Sequence, residues 1–133
     1  MRLGRSLASV GLLTTLSLAA GCIDPPVTFC NFVGYPAISV SVRDAATGAP
    51  IAAGSTLVLV DGSFVDSVTV PEDALDQNSM PLVTPHSIER PGRYQVTVRR
   101  AGYQDWRRSD VLVREGDCNV FTLNLTARLK AIR

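Results

Sequence analysis

Few side chains in this 133-residue chain can do chemistry: one histidine, three cysteines, and scattered acids and serines. His86 is the sole imidazole base. A nucleophilic triad would have to join it to Asp73 or Asp76 and to a serine such as Ser79 or Ser87. The base must take the serine proton while a carboxylate holds the ring. These positions share one proline-rich stretch, and no Gly-x-Ser-x-Gly turn presents a serine. His86-Ser-Ile-Glu89 has the spacing of a zinc-binding His-x-x-Glu, but such a site needs a second histidine, which the chain lacks. Asp61, Asp66, Glu72, Asp73 and Asp76 do not alternate as calcium-loop ligands do. They are read as a solvated acidic surface, and His86 as a solvated loop residue. The sequence is therefore read as that of a non-enzyme, with no catalytic residues, no metal site and no cofactor.

A second cluster favours binding over catalysis. Arg99, Arg100, Arg107 and Arg108 flank Tyr103 and Trp106. Guanidinium groups beside aromatic rings can hold sugars, acidic polymers or a protein partner. The plainer reading is that the arginines keep one sheet soluble while both rings cap the core. Nucleic acid is not an expected partner. The chain carries 13 basic and 12 acidic side chains, far from a basic footprint.

The N-terminus reads as an address. Arg2 and Arg5 precede an uncharged, Leu- and Ala-rich run from Ser6 to Ala20, too short to span a bilayer comfortably and suited to a secretory signal. It ends in Leu18-Ala-Ala-Gly-Cys22. Those residues resemble the lipobox of bacterial lipoproteins. The resemblance implies a diacylglyceryl group on the Cys22 thiol, removal of residues 1–21, and acylation of the new amine by a chain such as palmitate. Two or more acyl chains make a stable anchor, where one does not. Ile23 follows the cysteine in place of the Asp that retains such proteins at an inner membrane, so the implied location is the cell envelope, at the outer membrane in a Gram-negative cell. The alternatives are an ordinary signal cut after Ala20 or Gly21, leaving Cys22 a free thiol, or an uncleaved anchor.

Without residues 1–21 the chain keeps 112 residues, with 11 basic against 12 acidic groups. A domain of that size has a modest core and gains from a covalent staple. With Cys22 lipidated, Cys30 and Cys118 remain. Two thiols in an oxidising compartment pair, closing a loop of nearly 90 residues worth about 4.5 kcal/mol by chain entropy. The competing reading is two unpaired, buried cysteines.

The rest must position these groups, and it reads as strands and turns. Residues 22–36 are a short tether with Pro25, Pro26, Gly34 and Pro36. Ile38, Val40 and Val42 alternate with Ser39, Ser41 and Arg43, the signature of a half-buried strand. Asp44 to Gly48 is a turn. The apolar run Leu57–Val60 predicts a strand covered on both faces. Asp61-Gly62 predicts a hairpin, with return strand Phe64–Val70. Residues 71–85 read as a surface loop with one helical turn near Glu72 to Leu75, and Ser87–Arg90 as a short strand. Further strands follow at Tyr94–Val98, Arg107–Val113 and Phe121–Ala127, the last with Phe121, Leu123, Leu125 and Ala127 on one face. The spacing predicts an all-β sandwich.

Three patterns in order carry a family resemblance. They are Ser39-Val-Ser-Val-Arg-Asp-Ala-Ala-Thr-Gly-Ala-Pro50, Pro91-Gly-Arg-Tyr94 with its alternating strand, and Ala101-Gly-Tyr103. Together they resemble the carboxypeptidase regulatory-like domain, a seven-stranded sandwich related to transthyretin (prealbumin). The resemblance covers residues 37 to about 127, and implies a single antiparallel Greek-key domain at 37–129. The family's Thr-Asp-x-x-Gly-x-Phe turn is absent, replaced by residues 71–85. The family is accessory, presenting or spacing its neighbours. Related hydroxyisourate hydrolases use more than one histidine, which this chain lacks. The implied function is a non-catalytic, membrane-anchored envelope lipoprotein with an envelope protein or glycan partner. The alternative is a glycan or small-ligand binder working through the Arg99–Arg108 hairpin.

Overall fold

The structure, a computed structural model, describes residues 26–133; the signal segment and Cys22 lie outside the described residues. The described residues are all-β, and six strands form among them: β1 (Ile38–Asp44), β2 (Ser55–Asp61), β3 (Phe64–Thr69), β4 (Gly92–Arg100), β5 (Trp106–Val113) and β6 (Leu123–Leu129). Alternation explains most of them. In β1, Ile38, Val40 and Val42 are buried while Arg43 points to solvent. In β4, Tyr94, Val96 and Val98 are buried and Arg93, Gln95 and Arg99 are exposed. Each strand thus offers one apolar face, and two such faces close on each other.

The larger sheet has the order β3-β2-β4-β5, antiparallel throughout. The smaller sheet pairs β1 with β6 in parallel, so the sandwich is not antiparallel throughout, as the sequence led us to expect. These two strands start from the same end. There the Thr122 hydroxyl donates to the Pro36 carbonyl at 2.6 Å, and the Leu123 amide to the Ala37 carbonyl at 3.0 Å.

Six strands form where seven were expected, and Ser87–Arg90 is not one of them. Pro85–Ser87 is a single 3₁₀ turn, and Glu89 takes a left-handed backbone at φ 51°. Pro81 and Pro85 have no amide hydrogen to give a ladder, so this stretch contributes only isolated bridges, Val40 to Leu82 and Pro36 to Ile88. Those bridges still close one side of the sandwich. The other side closes where the Gln104 amide donates to the Lys130 carbonyl at 2.8 Å and the Ile132 amide to the Gly102 carbonyl at 2.9 Å.

Three smaller expectations also change. Leu57 and Leu59 are buried, but Val58 and Val60 are only half-covered, because the outer face of the larger sheet meets solvent. The helical turn is Leu75–Gln77, slightly later than expected. Phe121 precedes β6 and is 64% exposed instead of joining its inner face. The Asp44–Gly48 turn forms as expected. Asp44 Oδ1 accepts the amides of Ala46 and Thr47, and Gly48 closes the turn at φ 74°, a region open to glycine at no steric cost.

The strands give the domain two ends. Gly92 faces Val113 at one, and Ser55 faces Arg100 at the other. The nine residues of β4 separate them by about 30 Å. Cys30 and Cys118 join the first end, while Tyr103 and Trp106 occupy the second.

Candidate functional site

At the second end the expected arginine surface is only partly free. Asp105 holds two of its guanidinium groups, Arg107 at 3.0 Å and Arg99 at 3.3 Å. Arg107 first, then Arg99, hold the Asp105 carboxyl below its usual range against partial desolvation. Arg100 lies over the Tyr103 ring, 5.4 Å from its centre, and its Nε donates to the Ile51 carbonyl. The Tyr103 hydroxyl donates to Asp44 Oδ2 at 2.9 Å. The Thr47 amide, then that hydroxyl, lower the Asp44 pKa, and the same bond raises that of Tyr103. Tyr103 and Trp106 both pack against the core. The rings therefore act as caps. Arg108 is exposed beside a bulge in β5, where Asp110 adopts φ 62° and takes a 2.6 Å bond from Arg93.

Beside Trp106 an open groove of about 210 Å³ runs between the start of β5 and the end of β6. Gln104, Asp105, Trp106, Arg107, Arg128 and Lys130 line it. Arg128 and Lys130 were not singled out from the sequence, because only the fold brings the last strand alongside the Trp106 turn.

His86 has a partner that the sequence reading missed. Its Nδ1 lies 3.0 Å from Asp66 Oδ1, and its amide donates to Asp66 Oδ2 at 2.7 Å. Asp66 is 6% exposed, while the His86 side chain is 78% exposed. Burial alone would raise the Asp66 pKa. The His86 side chain, the Thr84 hydroxyl and the amides of His86 and Ser67 outweigh it, and the carboxyl titrates below its usual range. The Thr84 hydroxyl is fully buried and near enough to favour the carboxylate, yet falls outside good hydrogen-bond geometry. A buried carboxylate that orients an exposed imidazole supplies two of the three members of a triad. Here the pair joins the 3₁₀ turn to β3. Asp73 and Asp76, the acids that a triad in this stretch would have required, are exposed on the preceding loop, as expected of a solvated surface, and Ser87 Oγ donates to the Thr84 carbonyl. The usable signal was periodicity. Phe64, Asp66 and Val68 share the inner face of β3, which directs an Asp inward.

At the first end Cys30 and Cys118 are joined, with sulfur atoms 1.95 Å apart and Cα atoms 5.2 Å apart. Cys30 sits in an exposed tether, so the alternative of two buried thiols does not describe this pair. Glu89 organises the surroundings. Its carboxylate accepts the Tyr35 amide at 2.5 Å, Asn119 Nδ2 at 2.9 Å and the Val120 amide at 2.9 Å. The Tyr35 amide first, then Asn119, lower its pKa against desolvation. Asn119 Nδ2 also donates to the Val33 carbonyl. One carboxylate thus ties the tether, the 85–90 loop and the 115–120 loop together. Between them lies an open cleft of about 340 Å³. Glu89 entered the sequence reading only as the end of a His-x-x-Glu spacing. In the fold it faces away from that role, toward Asn119.

Among the described residues no group of three or more His, Cys, Asp or Glu side chains converges as metal ligands would. No known family pattern matches the chain, and no curated protein matches it.

Proposed function

We propose that this chain is an exported lipoprotein, anchored through Cys22, whose sandwich is a non-catalytic interaction or structural module of the cell envelope. The observation that carries the reading is the way the chain enters the domain. An exposed tether only eight residues beyond Cys22 is cross-linked by Cys30–Cys118 to the loop before β6. A disulfide suits an oxidising, exported setting. It fixes one end of the domain near the anchor and leaves the other about 30 Å away, free to meet a partner. His86 and Asp66 serve as a joint between loop and strand, consistent with a module that acts by binding.

We read the sandwich as a divergent carboxypeptidase regulatory-like, transthyretin-related domain. On that reading the missing seventh strand is represented by the bridged stretch Leu82–Ile88, its ladder broken by Pro81 and Pro85. The order of the Thr47-Gly-Ala-Pro50, Pro91-Gly-Arg-Tyr94 and Gly102-Tyr103 turns supports it.

The test is the intact mass of the protein purified from native membranes, with and without reductant. The reading expects Cys22–Arg133 plus acyl groups, gaining two hydrogens on reduction. An unacylated mass would make this a secreted soluble domain and remove the anchor from the argument. A second reading, glycan or small-ligand binding, is favoured by the open groove beside Trp106, Arg128 and Lys130. Trp106 is the sole tryptophan, so its fluorescence reports on envelope glycans titrated into that groove. An unchanged spectrum rejects this second reading.

A further inference from the structure

The end of the domain that carries the disulfide is unusually apolar for a surface. Phe29 is 91% exposed, Phe32 fully so, Val33 56% and Phe121 64%. Of the other exposed apolar side chains, Val65 and Leu112 stand on separate strands and Leu75 and Met80 on the 71–85 loop, none of them near the anchor in sequence. Phe29, Phe32, Val33 and Phe121 belong to two segments held together by the Cys30–Cys118 bond. Phe32 and Val33 border the same cleft as Cys118 and Val120, and Phe121 borders the next one with Cys118. A grouped apolar patch on a small domain marks a surface that something covers.

We infer that the bilayer covers it: the disulfide end rests in the membrane interface, with Phe29, Phe32, Val33 and Phe121 against lipid and the Trp106 end pointing away. The inference rests on the lipoprotein reading, since it needs Cys22 in the membrane. Chain length then sets the geometry. Seven residues separate Cys22 from Phe29 and ten separate it from Phe32, a reach of at most about 25 and 36 Å. The disulfide transmits that limit to the 115–121 loop, so this end of the domain stays within roughly 30 Å of the lipid surface while the Trp106 end can stand farther off. Confinement raises the local lipid concentration, and a weak apolar contact then suffices.

Charge selects the kind of lipid contact. Glu115 and Asp117 both precede Cys118 in its loop, and acids do not draw a surface toward anionic headgroups. The attraction is apolar burial at the interface, and a zwitterionic bilayer is enough.

The test uses the full acylated chain, its mass verified, in phosphatidylcholine vesicles with or without lipids brominated in the upper acyl chain. In the native protein the only fluorophore of its kind is Trp106, about 25 Å from the disulfide end along β5. Its emission is expected to stay unquenched. Phe32→Trp and, separately, Phe121→Trp add an indole at exposed positions that the core does not depend on. Each added signal is expected to fall about twofold with bromolipid, as for side chains about 5–10 Å deep in the interface. An acylated protein whose added indole at position 121 is unquenched overturns the inference, even if position 32 is quenched, because then only the tether touches lipid. A blue-shifted but unquenched indole also overturns it, showing a cover of protein. Quenching of native Trp106 reverses the orientation. An unacylated mass removes the anchor reading itself, and that outcome is seen before any fluorescence is read.

Discussion

Breaking the Cys30–Cys118 bond is expected to lower the melting temperature by about 7–20 °C. The bond closes a separation of 88 residues, which removes about 4.5 kcal/mol of chain entropy from the unfolded state. The folded state gives part of this back. Val33 and Tyr35 remain held by Asn119 and Glu89 without the disulfide, so reduction frees only residues 30–32, at about 1 kcal/mol each. The net loss is therefore about 1.5–4.5 kcal/mol. For the 108 described residues the unfolding entropy is about 0.2 kcal/mol/K, which converts that loss into the stated shift. The assay is thermal unfolding followed by circular dichroism, comparing the oxidised protein with the Cys30→Ser, Cys118→Ser double variant. A shift below about 3 °C would refute the reasoning, because it would mean that breaking the bond frees more of the tether than residues 30–32. A difference between the double variant and the chemically reduced protein would point to side-chain effects instead of loop closure.

Asp66→Ala removes the buried acceptor of two His86 donors and is expected to cost about 2–4 kcal/mol. His86→Ala, which keeps the amide bond to Asp66, is expected to cost clearly less; equal losses in urea unfolding would contradict the joint described above. Asp66 also has its folded pKa lowered. Its contribution is therefore complete above the ordinary carboxyl range near pH 4 and is lost as pH falls through the lowered folded value. Melting temperature measured from pH 6 to pH 2 should fall less steeply in Asp66→Ala than in the native protein. Tyr94→Phe deletes the hydroxyl that donates to the Arg90 carbonyl at 2.8 Å and should cost about 1 kcal/mol; no loss in urea unfolding would place that hydroxyl in contact with water.

What could be read from the sequence was local. The period-two runs of β1 and β4, the Asp44–Gly48 turn, the Asp61-Gly62 hairpin and the inward Tyr94 all depend on neighbours within a few residues. The parallel register of β1 with β6 was not legible, since Ile38 and Leu123 meet only through the closed domain. The 85–90 stretch misled for a physical reason. Its Ser-Ile-Glu-Arg composition permits a strand, but the flanking prolines withhold donors and Glu89 adopts a left-handed backbone. The candidate sites divide the same way. Tyr103 and Trp106 were found as turn residues, but Asp105, which pairs with two of the arginines beside them, was passed over. Asp66 was grouped with loop acids although its inward register was available from Phe64 and Val68.

The two ends of the domain differ in chemistry, and the difference bears on how such a module would work. At the disulfide end apolar side chains are exposed, and Glu89 and Asn119 are taken up by internal hydrogen bonds. Glu89 holds three donors and Asn119 two acceptors. At the far end the rings are tucked in, and the polar groups face out, with Arg128 and Lys130 beside the Trp106 groove. A partner met there would be selected by charge and hydrogen bonding, which act at a distance and depend on salt. Contacts at the disulfide end would be short-ranged and insensitive to salt. Measured salt dependence therefore separates the two surfaces: association that weakens steeply between low and physiological ionic strength belongs to the Trp106 end, and association that does not weaken belongs to the apolar one.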